Sequence, residues 1–149
     1  MLKTLSQFQL GPTFSAYPSA TQLVNNATFT KMVFDMEEWD TDNAFDNTTN
    51  YRFQPKVAGY YQVIACVTGS GVTTGLTSVY LYKNGSVSRT ISNVSNTPGY
   101  PAVAGSSLIY FNGTTDYVEV YVYQTTGAGN FMYNGAAYTF FQAHFVRGT

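Results

Sequence analysis

Residues 117–123 read Tyr-Val-Glu-Val-Tyr-Val-Tyr, and an alternation this strict is the signature of an extended chain. Successive side chains of a strand point to opposite faces. Val118, Val120 and Val122 therefore share one face, and Tyr117, Glu119, Tyr121 and Tyr123 share the other. The segment 77–83 repeats the pattern, with Val79 and Leu81 opposite Tyr80 and Tyr82. Asn84-Gly85 follows it, and this pair tolerates the positive φ of a tight hairpin turn. Asn112-Gly113 marks a second reversal, leading into the Tyr117 strand. Val, Thr, Tyr and Phe dominate throughout, a bias that suits a pleated, half-buried surface. Further strands are predicted at 28–34, 51–54, 60–68, 86–91, 105–111 and 137–146, with turn clusters at 69–75, 92–101 and 125–135. No segment reads as a long helix. About eight to ten short antiparallel strands in a chain of 149 residues predict one all-β domain, a sandwich or barrel.

The strands are apolar on both faces. In the closing strand, Tyr138, Phe140 and Val146 alternate with Phe141, Ala143 and Phe145. A monomeric sandwich should turn polar residues to solvent, yet only 10% of this chain is charged while 17% is aromatic. Large exposed apolar surfaces mark interfaces. Tyr60, Tyr117, Tyr121, Tyr123, Tyr138 and Phe140 are accordingly the candidate residues of a self-association interface. The alternative is a single core with tyrosines lying flat on its surface.

Charge and motif content exclude several function classes. Seven Lys and Arg against eight Asp and Glu leave a net charge of −1, without the basic stripe that nucleic acid demands. The aromatic content excludes disorder. No apolar run approaches the roughly 18 residues of a membrane helix, and the first residues lack the pattern of a signal peptide. A lone Cys66 cannot form an intramolecular disulfide. His144 is the only imidazole, nothing in the sequence pairs it with Cys66, and neither a nucleophile elbow nor a phosphate loop is present. Cys66 alternates with Ile64 on a strand entering the core, where a free thiol behaves as a small hydrophobe. The expectation is no enzyme and no cofactor.

Four stretches remain. Asp35, Glu37, Glu38, Asp40, Asp42 and Asp46 form an acidic loop whose oxygens could take Ca²⁺, although without EF-hand spacing, or could simply keep the chain soluble. Trp39 lies within it, as either a partner contact or a cap on the sandwich. The Gly-, Thr-, Asn- and Tyr-rich turns suit adaptable recognition or plain loops, and make Tyr100 and Tyr133 candidate ligand contacts. Residues 1–12 read as an arm separate from the domain at 13–149. Its Leu2, Leu5, Phe8 and Leu10, ahead of Gly11-Pro12, could anchor it to another protein or fray.

From about Pro12 to Arg147 the order of these signals resembles the jelly-roll trimers of the tumour necrosis factor and complement-globular-head superfamily. Phe14–Ala16 is similar to the first strand, and Lys31–Asp35 to the segment before the long loop. Tyr51–Val67 carries the fullest match, where Phe53, Pro55, Gly59, Tyr60 and Tyr61 fit an aromatic, a proline, then Gly-Tyr-Tyr entering a central strand. Tyr80–Ser86, Ser106–Val122 and Ala137–Val146 fit later strands in order. Two departures stand out: Gly113-Thr114-Thr115-Asp116 replaces the usual Gly-Asp, and the closing strand lacks the common Ser-Gly step. No collagen-like Gly-X-Y run occurs.

The resemblance implies a tumour-necrosis-factor-like jelly roll that works as a homotrimer without enzymatic activity. Similar proteins occur as knobs and decorations on tailed bacteriophages. Together with low charge and Thr/Asn/Gly-rich loops, this leads to the expectation of a virion surface protein assembled in the host cytoplasm. It would be a capsid decoration, head fibre or receptor-binding fibre knob. Its partners would be itself, other virion proteins through the arm, and a host cell-surface glycan or protein. The alternative is an extracellular carbohydrate- or ligand-binding module of a larger adhesin or secreted protein.

Overall fold

A computed structural model describes residues 11–70, 74–96 and 98–149. The strands are β1 (Thr13–Tyr17), β2 (Gln22–Val24), β3 (Thr30–Lys31), β4 (Met36–Asp40), β5 (Phe45–Asp46), β6 (Arg52–Phe53) and β7 (Gly59–Ser70). They continue with β8 (Gly75–Lys83), β9 (Ser86–Asn96), β10 (Ala102–Phe111), β11 (Val118–Gln124), β12 (Asn130–Met132) and β13 (Phe140–Arg147). Among the described residues they form two antiparallel sheets. The larger has the order β2-β12-β7-β13-β1-β4, with β10 on the free side of β7; the smaller runs β5-β6-β11-β8-β9, with β3 beside β11. This is a jelly-roll sandwich.

The alternation read from sequence decides the core. Val118, Val120, Val122, Val79 and Leu81 are fully buried on the inner face of the smaller sheet, facing Tyr61, Val63, Ala65 and Val67 of β7. At the centre Phe14 stacks on Phe45 and Phe53, with ring centroids 4.7 and 4.6 Å apart, and meets Phe141 edge-on at 4.9 Å. Burying each such ring contributes roughly 1.5–3 kcal/mol. The Asn84-Gly85 hairpin forms between β8 and β9, both residues holding positive φ (53° and 79°).

Several expectations are corrected. Of the strand expected at 28–34, only Thr30–Lys31 pairs with β11. The Met32 N–H still donates to the Val120 carbonyl, and on the other edge of the segment Gln22 Nε2 donates to the Lys31 carbonyl while its Oε1 accepts from the Val33 N–H. The second Asn-Gly reversal is not a hairpin, because β10 pairs with β7 and β11 with β8; the turn passes the chain from one sheet to the other. The Gly- and Asn-rich turn clusters are shorter than expected, since β8 and β9 pair as far as Gly75 and Asn96, and β12 lies inside the cluster at 125–135. The acidic stretch includes an edge strand, β4, so Trp39 sits on a strand beside β1.

Tyr138 precedes β13 in a turn, where its N–H and that of Thr139 donate to the Gly135 carbonyl. Cys66 and Ile64 face outward from β7, opposite the core row. Pro12 is buried, and its carbonyl accepts from the Phe145 N–H, which ties it to the sandwich. The arm residues Leu2, Leu5, Phe8 and Leu10 lie outside the described residues.

Candidate functional site

The outer face of the larger sheet is built by register. Tyr60, Gln62, Ile64 and Cys66 of β7 lie opposite Tyr110, Leu108, Ser106 and Ala104 of β10. On the other side Cys66, Ile64 and Gln62 meet Phe140, Gln142 and His144 of β13. Tyr60, Tyr110 and Leu108 are 38, 39 and 48% exposed, and the two tyrosine rings lie 5.5 Å apart. The polar groups between them are largely satisfied within the face. Gln62 Nε2 donates to Ser106 Oγ at 2.7 Å. Gln142 Nε2 donates to Ser15 Oγ, which in turn donates to Glu38 Oε2 at 2.6 Å. The result is a broad, weakly charged surface.

Of the six residues named for self-association, Tyr60 and Phe140 lie on this face, at opposite ends of it, with Phe140 in register with Cys66 and Tyr60 with Arg147. Tyr117, Tyr121 and Tyr123 lie on the outer face of the smaller sheet, on the far side of the sandwich. There Tyr121 stacks on Tyr82 at 3.9 Å, Phe29 leans on Tyr80 and Tyr123, and the Arg52 guanidinium sits 4.3 Å above the Tyr117 ring. The six therefore do not form one patch. Leu108 and Tyr110 lie on the same face as Tyr60, as the alternation Leu108, Ile109, Tyr110, Phe111 implies.

Tyr138 instead joins the two candidate ligand contacts. Its ring lies 5.6 Å from that of Tyr133, which lies 5.7 Å from that of Tyr100. With Cys66, Thr68, Ala102 and Ala137 they line a hollow of about 510 Å³ at one end of the outer face. The turn carrying Tyr133 and Tyr138 is fastened to the floor. Thr68 Oγ1 donates to the Tyr138 carbonyl at 2.7 Å, Cys66 Sγ approaches the same oxygen at 3.4 Å, and the Tyr133 N–H donates to the Thr68 carbonyl.

Trp39 is 46% exposed and its Nε1–H donates to Thr13 Oγ1 at 3.3 Å. The surrounding carboxylates are engaged locally: Asp35 accepts from Ser19, Asp40 from the Phe45 N–H, and Asp46 from Thr48, Thr49 and Asn50. Among the described residues no group of three or more His, Cys, Asp or Glu side chains is arranged to hold a metal ion, and no helix is long and apolar enough to cross a membrane. Burial pushes the Cys66 thiol up, against a smaller lowering by Thr68. A thiol so held is a poor nucleophile at neutral pH. His144 lies opposite Gln62, well along the sheet from Cys66.

No family model matches the chain, and no curated protein does. Solved structures match along almost its whole length. The globular domain of zebrafish complement 1qA protein is 18% identical over 93% of this chain and 99% of its own, with a TM-score of 0.63. Eiger TNF from S. frugiperda is 11% identical over 94% of each chain, at 0.68. Murine APRIL, crystallised at pH 5.0, is 11% identical over 91% of this chain and 99% of its own, at 0.66. The fold is tumour-necrosis-factor- and complement-globular-head-like. At such identities the likeness is one of fold, and function has to be argued from the surfaces.

Proposed function

We propose that this chain is a non-enzymatic binding module that acts as a homotrimer and is displayed on a virion surface. The observation that carries the trimer is the outer face of the larger sheet. Tyr60, Leu108 and Tyr110 stand exposed at one end of it, and Ile64 and Phe140 follow further along the same face. Gln62 and Gln142 already spend their amides inside the face, so a covering copy would strand few polar groups. The resemblance to jelly-roll trimers supplies the order, with each protomer turning this face toward a common axis. Three weak sites held together gain avidity, by roughly 10² to 10⁴ over one site. The virion setting rests on composition: 10% charged residues and polar loops rich in Thr, Asn and Gly, in a fold that serves for knobs and decorations.

Light scattering after gel filtration tests the trimer. The expected native mass is three times that of the chain, and Leu108→Asp should lower it to one without changing the circular dichroism. A stable monomer overturns the trimer. An antibody to the chain should label intact particles purified from its source, and its absence from them overturns the virion setting. A second reading, a free-standing carbohydrate- or ligand-binding module, is favoured by the tyrosine hollow.

A further inference from the structure

We propose that the hollow between Tyr100, Tyr133 and Tyr138 is a binding site for a neutral saccharide, seated with the C–H face of a pyranose ring against the tyrosines. The proposal deepens the binding-module reading but does not require the trimer, because every wall of the hollow comes from one protomer.

The site is exposed, yet it is built. Tyr100 and Tyr138 are 65 and 55% exposed, more than rings recruited for packing need to be. Both turns that carry them are pinned by hydrogen bonds: the Thr68 hydroxyl donates to the Tyr138 carbonyl, the Tyr133 N–H to the Thr68 carbonyl, and the Gly69 N–H to the carbonyl of Pro101, next to Tyr100. Gly135 holds a φ of +90°, which lets the chain fold back between Tyr133 and Tyr138. The backbone under the rings is therefore fixed before any ligand arrives, which lowers the entropy cost of binding.

Shape and charge select the occupant. Neighbouring rings are inclined by 36° and 35°, so they form an open, curved wall. An aromatic cage for a quaternary ammonium would close around the cation from several sides. None of the seven lining residues is charged, which disfavours an ionic ligand. Among the described residues, none of the three phenol hydroxyls is hydrogen-bonded within the protein. They remain available as donors and acceptors. A pyranose matches this combination, with apolar C–H groups on one face and hydroxyls around its rim. The volume of about 510 Å³ falls within the roughly 300–1,000 Å³ of small-ligand sites.

The test is saturation-transfer NMR on the full chain with methyl glycosides of glucose, galactose and mannose, with N-acetylglucosamine and L-fucose, and with tetramethylammonium as the cationic comparator. At least one sugar should receive saturation on its ring C–H protons, and tetramethylammonium should not. Tyr100→Ala, at the exposed lip, should weaken that sugar by roughly tenfold or more, while Tyr100→Phe keeps most of the affinity. Native mass is measured on the same variants. Absence of transfer to every sugar, transfer unchanged by Tyr100→Ala, or preference for tetramethylammonium overturns the proposal. A lowered native mass for Tyr100→Ala also overturns it, since the hollow would then be covered by a second copy. A monomeric wild type that still binds sugar through Tyr100 leaves the proposal standing and removes only the trimer.

Discussion

The side-chain amide of Asn84 donates to Asp116 Oδ1 at 2.8 Å, joining the tip of the β8–β9 hairpin to the turn that carries the chain between sheets. The Asn84 Oδ1 accepts from the Tyr117 N–H, and Lys83 Nζ lies 2.8 Å from Asp116 Oδ2. Two turns that look independent in sequence are thus one hydrogen-bonded unit. Asp116→Ala should cost about 1–3 kcal/mol, because it strips partners from Lys83, Asn84 and the Asn112 N–H. Urea unfolding midpoints of wild type and variant measure it.

Acid should unfold the protein through identifiable carboxylates. The Thr49 N–H holds the Asp46 carboxyl well below the usual range, aided by Thr48 and Asn50 and opposed by burial. For Asp116, burial alone would raise the pKa, but hydrogen bonds from Lys83, Asn84 and the Asn112 N–H outweigh it and lower the pKa. Both pKa values are depressed by folding. Their stabilisation is therefore full above the unfolded value of about 3.9 and is lost as pH falls below it. Asp46→Asn and Asp116→Asn should each flatten the acid limb of a stability–pH curve from urea titrations.

Tyr61 works on the alkaline side. Its hydroxyl donates to the Val57 carbonyl at 2.8 Å, and burial, followed by the Asp42 charge, pushes its pKa up to about 12. A phenol whose pKa is raised by folding stabilises fully below the unfolded value of about 10, and that contribution fades as pH climbs through the folded one. Tyr61→Phe should cost about 1 kcal/mol at neutral pH. It should also remove a phenolate that titrates near 12 from an ultraviolet absorbance titration.

Phe14 is the keystone of the aromatic core, stacked between Phe45 and Phe53 and capped by Phe141. Phe14→Ala should cost about 3–5 kcal/mol through the cavity it opens. Thermal and urea unfolding report the loss, and Phe14→Leu should recover much of it.

Gly105 lies on β10 where the strand passes close to β9, and a Cβ there would run into the Ile91 carbonyl. Gly105→Ala should cost about 1–3 kcal/mol by overpacking. Gly127, with nothing near its Cβ position, is the control for the missing contact. Its φ of 84° means that any cost of Gly127→Ala is backbone strain alone. Differential scanning calorimetry separates the two.

Much of the fold was legible because period two is a local property. Val118 to Tyr123, Val79 to Tyr82 and Asn84-Gly85 each show their structure within a few residues. The strands that were missed are those whose pairing depends on something distant. The strand at Asn130–Met132 exists because Val24 and Gly69 lie alongside it, and Met36–Asp40 because β1 offers an edge. Conversely, the expected strand at 28–34 shrinks to Thr30–Lys31, and further along the same edge of β11 Val118 pairs with Phe53 of β6, a neighbour that no periodicity reveals. The candidate site divides the same way. Tyr100 and Tyr133 stood out as exposed aromatics in polar turns, while the turn at Gly135 brought Tyr138 to them instead of placing it on the last strand.

The sequence by itself determined that this chain is all-β, is poor in charge and rich in aromatics, and keeps one apolar row of each central strand for the core. These properties depend on side-chain chemistry and on the two-residue repeat of an extended backbone. Only the tertiary structure decided which outer face collects Tyr60, Leu108, Tyr110 and Phe140, and which tyrosines meet in a hollow. Strand neighbours in a jelly roll are joined by long connections, as β7 is to β10 and β13, so the residues that share a surface are set by sheet order and register.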